Sequence, residues 1–186
     1  MSVALQQASP EITEFLDKIK SPNGDIRMAA WQSAGPMGSA AIEPLGELAA
    51  GNDKGIAKAA TEAMRVIAHH AARTGFREAG MVSSELLKIA ASDKPIMVRS
   101  DALQLLGCIG NTRFVPGLVK LLADPKVQEE ARMALERIPG IAPLDALQAA
   151  AKQAEADHSG FAQNLEQSLY NRTLTPTTVG TQLPKK

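Results

Sequence analysis

The sequence predicts an all-α protein, an α-solenoid of about five helix pairs. Three observations lead there. Small or aliphatic residues recur at i, i+4, i+7/8 and i+11 of one helix per unit. The sets are Ile26, Ala30, Ser33/Ala34, Met37; Ile56, Ala60, Ala63/Met64, Ile67; Val98, Ala102, Leu105/Leu106, Ile109; and Val127, Ala131, Ala134/Leu135, Ile138. A two-helix unit cannot bury such a stripe alone and must stack on its neighbours. Each stripe also follows a shorter apolar segment and a polar turn, which makes every unit a helix–turn–helix. Finally, aromatics are only 3% of the chain while alanine is abundant, a composition that lets helices approach closely.

The first unit starts at Ser9-Pro10, runs through Ile12, Phe15, Leu16 and Ile19, and turns at Ser21–Asp25 into its second helix. The second has Ile42, Leu45, Leu48 and Ala49 ahead of the turn Gly51–Gly55. A longer interval follows, and the sequence places an insert at about 69–81, an extended second helix plus a loop. In the third unit Leu86, Ile89 and Ala90 precede Ser92-Asp93-Lys94-Pro95. The fourth has Val115, Leu118, Leu121 and Leu122, after which Asp124-Pro125 supplies an N-cap and a proline at the first helical position. A degenerate fifth pair fits Leu144, Leu147, Ala151 and then Phe161, Leu165, Ser168/Leu169, a polar C-terminal cap. Gly35, Gly110 and Gly140 close second helices. Residues 1–172 thus read as one repeat domain, and the threonine- and proline-rich residues 173–186 as a mobile tail.

Lys+Arg and Asp+Glu both number 20, so no global field favours nucleic acid or an acidic membrane. The single cysteine, Cys108, excludes an internal disulfide framework. Neither a signal peptide nor a membrane span is visible, so the expectation is a cytoplasmic protein.

Val98-Arg99, Ala102, Leu105-Leu106, Ile109-Gly110 resembles the second helix of HEAT repeats, particularly the short bacterial HEAT-like kind also found in phycobilin lyases. Asp124-Pro125-Lys126-Val127, Ala131, Ala134-Leu135, Ile138 is similar again, with Gln128 where that family favours arginine. Ile26-Arg27 keeps the arginine and Ala57 loses it. The resemblance covers about residues 10–172 and implies a right-handed α-α superhelix of HEAT-like pairs. It further implies that second helices line a concave surface, and that Arg27 and Arg99 reach aspartates of neighbouring turns, with Asp53, Asp93 and Asp124 as partners. Those residues read as inter-repeat fasteners through charge-assisted hydrogen bonds.

Helical arithmetic at 100° per residue then turns offsets 2, 6 and 9 away from the apolar stripe. The inner face so defined carries Met28 and Gln32; Lys58, Glu62 and Arg65; Ser100 and Gln104; Glu129, Met133 and Glu136; and Gln163, Gln167 and Tyr170. It is polar and mixed in sign. Trp31 stands at its margin, either as an aromatic anchor for a partner or packed between the first two units. His69 and His70 point about 100° apart and make a poor metal pair, and Cys108 reads as a small buried hydrophobe. No catalytic group, cofactor site or metal site is evident. The function expected is a non-enzymatic scaffold that binds a protein or peptide on its concave face. A tetrapyrrole (bilin) lyase or chaperone accessory is the alternative by family likeness. A HEAT-like DNA-repair glycosylase is a third, opposed by the balanced charge and by Glu129 and Glu136.

Overall fold

The computed structural model describes residues 9–154 and 160–174. These form ten α-helices, three short 3-10 turns and no strand. The helices are α1 (Pro10–Ile19), α2 (Gly24–Gln32), α3 (Ile42–Ala49), α4 (Lys54–Thr74), α5 (Phe76–Ala90), α6 (Ile96–Ile109), α7 (Val115–Leu121), α8 (Gln128–Arg137), α9 (Ile141–Ala154) and α10 (Gly160–Leu174). The 3-10 turns, Gly35–Met37, Ser39–Ala41 and Thr112–Phe114, lead into α3 and α7. Among the described residues no helix is long and apolar enough to cross a membrane.

Side-chain caps begin three of the helices. Ser9 accepts from the Ile12 N–H, Asn23 from Asp25 and Ile26, and Asp53 from Gly55 and Ile56. Each satisfies donors that a helix N-terminus leaves open. Two boundaries differ from expectation. Asp124 does not cap α8 directly: its carboxylate accepts from Lys126 N and its carbonyl from Val127 N, closing a turn, and the helix begins only at Gln128. The insert at 69–81 contains no loop. Helix α4 continues to Thr74, Gly75 alone breaks the chain at φ 131°, and α5 starts at Phe76. Both flanks carry buried apolar positions, Ala68 and Ala71 on one side and Ala79 and Val82 on the other, so each sustains a helix. A residue with a Cβ would be strained at that φ, and glycine is not.

Within each sequence unit the two helices pack together: α1 on α2, α3 on α4, α5 on α6, α7 on α8, α9 on α10. The even-numbered helices also follow one another in chain order, α2 on α4, α4 on α6, α6 on α8 and α8 on α10. On the odd side, α3 meets α5 and α7 meets α9. One continuous apolar core runs from Ile12 to Leu165, and Ile42, Leu45, Met64, Ile67, Leu86, Leu106, Leu118 and Leu135 are fully enclosed in it. Burying each such side chain stabilises the fold by about 1.5–3 kcal/mol. Ile26, assigned to the stripe, is instead 44% exposed.

Arg99 sits inside this packing at 7% exposure. Its Nε donates to the Ala90 carbonyl at 2.8 Å and its Nη2 to Asp124 Oδ2 at 2.6 Å. It therefore joins the end of α5, the start of α6 and the turn before α8. The Arg99 hydrogen bond and the Lys126 N–H hold the Asp124 carboxyl below its ordinary range. Arg27 behaves differently from expectation. It donates to the carbonyls of Ser21 and Pro22 in its own turn, at 2.6 and 3.0 Å, and reaches Asp53 only as a nearby charge. The N–H groups of Ile56 and Gly55 do most to lower the Asp53 carboxyl. Asp93 is exposed, and the cation that crosses between units there is its neighbour Lys94, paired with Glu47 at 2.5 Å and Glu43 at 3.4 Å. The peptide carbonyls are nearer to Arg27 than any carboxylate, and Lys94 is long enough to reach α3, which spacing alone does not reveal.

Replacing Arg99 strands a buried carbonyl and frees Asp124. Arg99→Ala should cost about 2 kcal/mol, lowering Tm by about 4–8 °C in a thermal melt at neutral pH. A shift within 1 °C of zero (about 0.3 kcal/mol by the same scaling) would contradict this role. Because the folded Asp124 pKa lies below its ordinary value of 3.8, its contribution is present above that value and lost as pH falls through the folded one. Arg99→Ala should therefore also flatten the acid limb of Tm against pH.

Candidate partner-binding face

The even-numbered helices expose a polar row, and close packing decides which residues belong to it. On α6, Ser100, Leu103 and Gly107 are buried. A Cβ at Gly107 would stand 3.0 Å from Ala134 Cα, so α8 approaches where glycine leaves room. Ser100 Oγ donates to Glu130 at 3.1 Å across the same seam. The exposed line of α6 is accordingly Asp101, Gln104 and Cys108, the outer two half-buried. On α8, Glu129, Arg132 and Glu136 turn toward α10, which leaves Met133 and Arg137 on the open line. The row is thus rotated by roughly a fifth of a turn from offsets 2, 6 and 9 on these two helices. On α4 the expected residues hold: Lys58 and Arg65 are exposed, and half-buried Glu62 pairs with Arg65 at 3.8 Å.

Glu129 and Glu136 are absorbed into a network between α8 and α10. Arg132, 13% exposed in its side chain, donates to Glu129 at 2.8 Å, to Glu136 at 3.0 Å and to Ser168. Ser168 donates to Glu136 at 2.6 Å, Asn171 to Glu136 at 3.0 Å and Asn164 to Glu129 at 2.7 Å. Arg172 completes the attachment by donating to the carbonyls of Glu136, Ile138 and Gly140 at 3.1, 2.6 and 2.7 Å, past the last turn of α8. A guanidinium there satisfies carbonyls left open at a helix C-terminus and complements its dipole. Sequence reading did not identify Asn164, Asn171 or Arg172, and placed Ser168 only on the packing stripe of the fifth pair. The only trace was the amide-rich, weakly apolar character of α10.

At the centre of the row, burial raises the Asp101 carboxyl, with Arg65 opposing and Glu62 adding to the rise. Burial likewise pushes the Cys108 thiol up, against the pull of Arg137 and Arg65. A thiol so protonated is a poor nucleophile. Arg65 acts on both groups, so α4, α6 and α8 bring Arg65, Asp101, Cys108 and Arg137 within electrostatic reach. Trp31 is half-buried against the core, and Gln32 is exposed beside it. Of the histidines, His70 backs onto Gly35, where a Cβ would meet it at 3.0 Å. Among the described residues no three His, Cys, Asp or Glu side chains gather as metal ligands would. Compared with known proteins, the chain matches no family model and no curated sequence.

Asp101→Asn should raise Tm at pH 7, because a carboxyl whose folded pKa is raised loses stability as pH climbs through that value. The gain should vanish on acidification through the carboxylate range. A gain that does not change with pH would point to packing instead. Arg172→Ala should loosen α10 selectively, read as faster amide exchange over 160–174 with α4–α6 unchanged.

Proposed function

We propose that this chain is a HEAT-like α-solenoid, a non-enzymatic scaffold that binds a protein or peptide along its even-numbered helices. The observation carrying this reading is the uninterrupted row from Glu62 and Arg65 through Gln104 and Met133 to Gln167. Four successive helices contribute to it, and each packs against the next. Chain-order packing of two-helix units is what stacking repeats produce, and a row that crosses several of them suits an extended partner. The row mixes cations, amides, a thioether and the half-buried carboxylates Glu62 and Asp101, chemistry for recognising a surface. It holds no nucleophile aligned with a base. Trp31 belongs to the packing of the first two units in this reading, because it lies against the core.

The full chain, immobilised, should retain a partner from lysate of its native host. The variant Arg65→Glu/Gln104→Arg, altered only at exposed positions, should retain it at least tenfold less while melting within 2 °C of the parent (about 0.7 kcal/mol). Equal retention by both proteins, or none by either, would overturn the reading.

A further inference from the structure

Between α8 and α10 lies a cavity of about 270 Å³ bounded by Arg132, Met133, Arg137, Asn164, Gln167 and Asn171. It is smaller than the roughly 300–1,000 Å³ of pockets for drug-sized ligands. Its chemistry is lopsided toward donors. Glu136 also borders it, but Oε2 already accepts from Arg132 and Ser168 and Oε1 from Asn171. Glu129 is occupied in the same way by Arg132 and Asn164. Arg132 uses Nε and Nη1 in that network, which leaves the Nη2 donors over. Arg137 makes no hydrogen bond or ion pair among the described residues, although its guanidinium is exposed at the rim. Its stem is held in place, since its Cδ lies 3.4 Å from where a Cβ of Gly107 would stand. Long cationic side chains laid along a neighbouring helix keep the charged head in water and already oriented.

A rim guanidinium that makes no hydrogen bond or ion pair among the described residues, a second with its Nη2 donors over, and carboxamides whose acceptors are partly taken leave this cavity rich in donors. We infer that this cavity receives the carboxylate of an aspartate or glutamate side chain from an acidic peptide, clamped by Arg137 with Arg132 behind it. The inference rests on the scaffold reading above and names the partner chemistry of that face. Arginine suits the task because its planar fork meets both oxygens of a carboxylate. Further along the row Lys58 is a second exposed cation, whereas Arg65 is already paired with Glu62. Glu129 and Glu136 keep their charge and offset that of Arg132, so the cation open to a ligand at this cavity is Arg137, while the Arg132 Nη2 contributes hydrogen-bond donors.

The test uses the full chain and three fluorescein-labelled decapeptides, amidated at the C-terminus, in which glutamates alternate with alanine and serine, or glutamines or lysines replace the glutamates. Fluorescence anisotropy at 50 mM salt should show the glutamate peptide binding at least tenfold tighter than the glutamine one, with no binding of the lysine one. Arg137→Glu should weaken the glutamate peptide at least tenfold. Lys88→Glu, the same charge change on α5, should weaken it less than threefold. Affinity should fall steeply between 50 and 200 mM salt. Equal binding of the glutamate and glutamine peptides would overturn the inference while sparing the scaffold reading. So would an unaffected Arg137→Glu protein. Partner capture from lysate that survives with the peptides silent would also reject the acidic partner, whereas loss of capture with the Arg65→Glu/Gln104→Arg variant concerns the scaffold reading alone.

Discussion

The arrangement depends on how near α6 and α8 can come. Gly107 faces Ala134 so closely that a Cβ there would be crowded at 3.0 Å, and Ala102, Ala131 and Ala134 are buried around that seam. Small residues at the crossing bring the helix axes together, and close axes bury whatever lies on the facing flank. Ser100 and Leu103 disappear into the interface for that reason, while Asp101, Gln104 and Cys108 remain accessible. The composition of the candidate face is therefore a by-product of backbone proximity. A bulkier seam would turn a different third of each helix outward.

Much of the fold could be read from residue order. The sets that start at Ile56 and Val98 fall on α4 and α6, and the set from Val127 spans α8 with one residue over at each end. Of the first set only Ile26 and Ala30 lie on α2, and Met37 falls in a 3-10 turn. The turn Ser92–Pro95 falls between helices, and those at Ser21–Asp25 and Gly51–Gly55 run into the first residues of α2 and α4. Capping and turn chemistry are local and survive transfer from peptide to protein, which explains why Ser9, Asn23 and Asp53 act as helix starts. The orientation of side chains around α6 and α8 was not legible in the same way. A helical wheel knows the apolar stripe of its own helix and nothing about the neighbour on its flank. Glu129 and Glu136 illustrate the loss: on a wheel they point outward, but α10 lies over them and Arg132 draws them in. Gly75 shows the converse, for a single glycine between two capable helices looks in sequence like the middle of a loop.

Charge follows the same logic. The chain is balanced overall, with 20 groups of each sign, yet the pairing is uneven. Carboxylates at Asp124, Glu47, Glu129 and Glu136 are engaged by cations from other turns or helices, or from their own helix, whereas Arg137 stands open. A protein neutral in formal charge can in this way present a surface whose available hydrogen bonds are mostly donors. Counting residues along the polar stripe, without knowing their partners, gives a mixed sign.

Helix α10 is fastened unlike the others. Only Ala162, Leu165 and Ser168 are buried along it, and much of its hold on α8 is Arg172 grasping peptide oxygens together with the Arg132 cluster. Bonds of that type exchange readily with water, whereas oily contacts resist it. The seam between α8 and α10 is therefore the one that competing polar chemistry should loosen first, while Leu165 keeps the helix seated on the apolar interior.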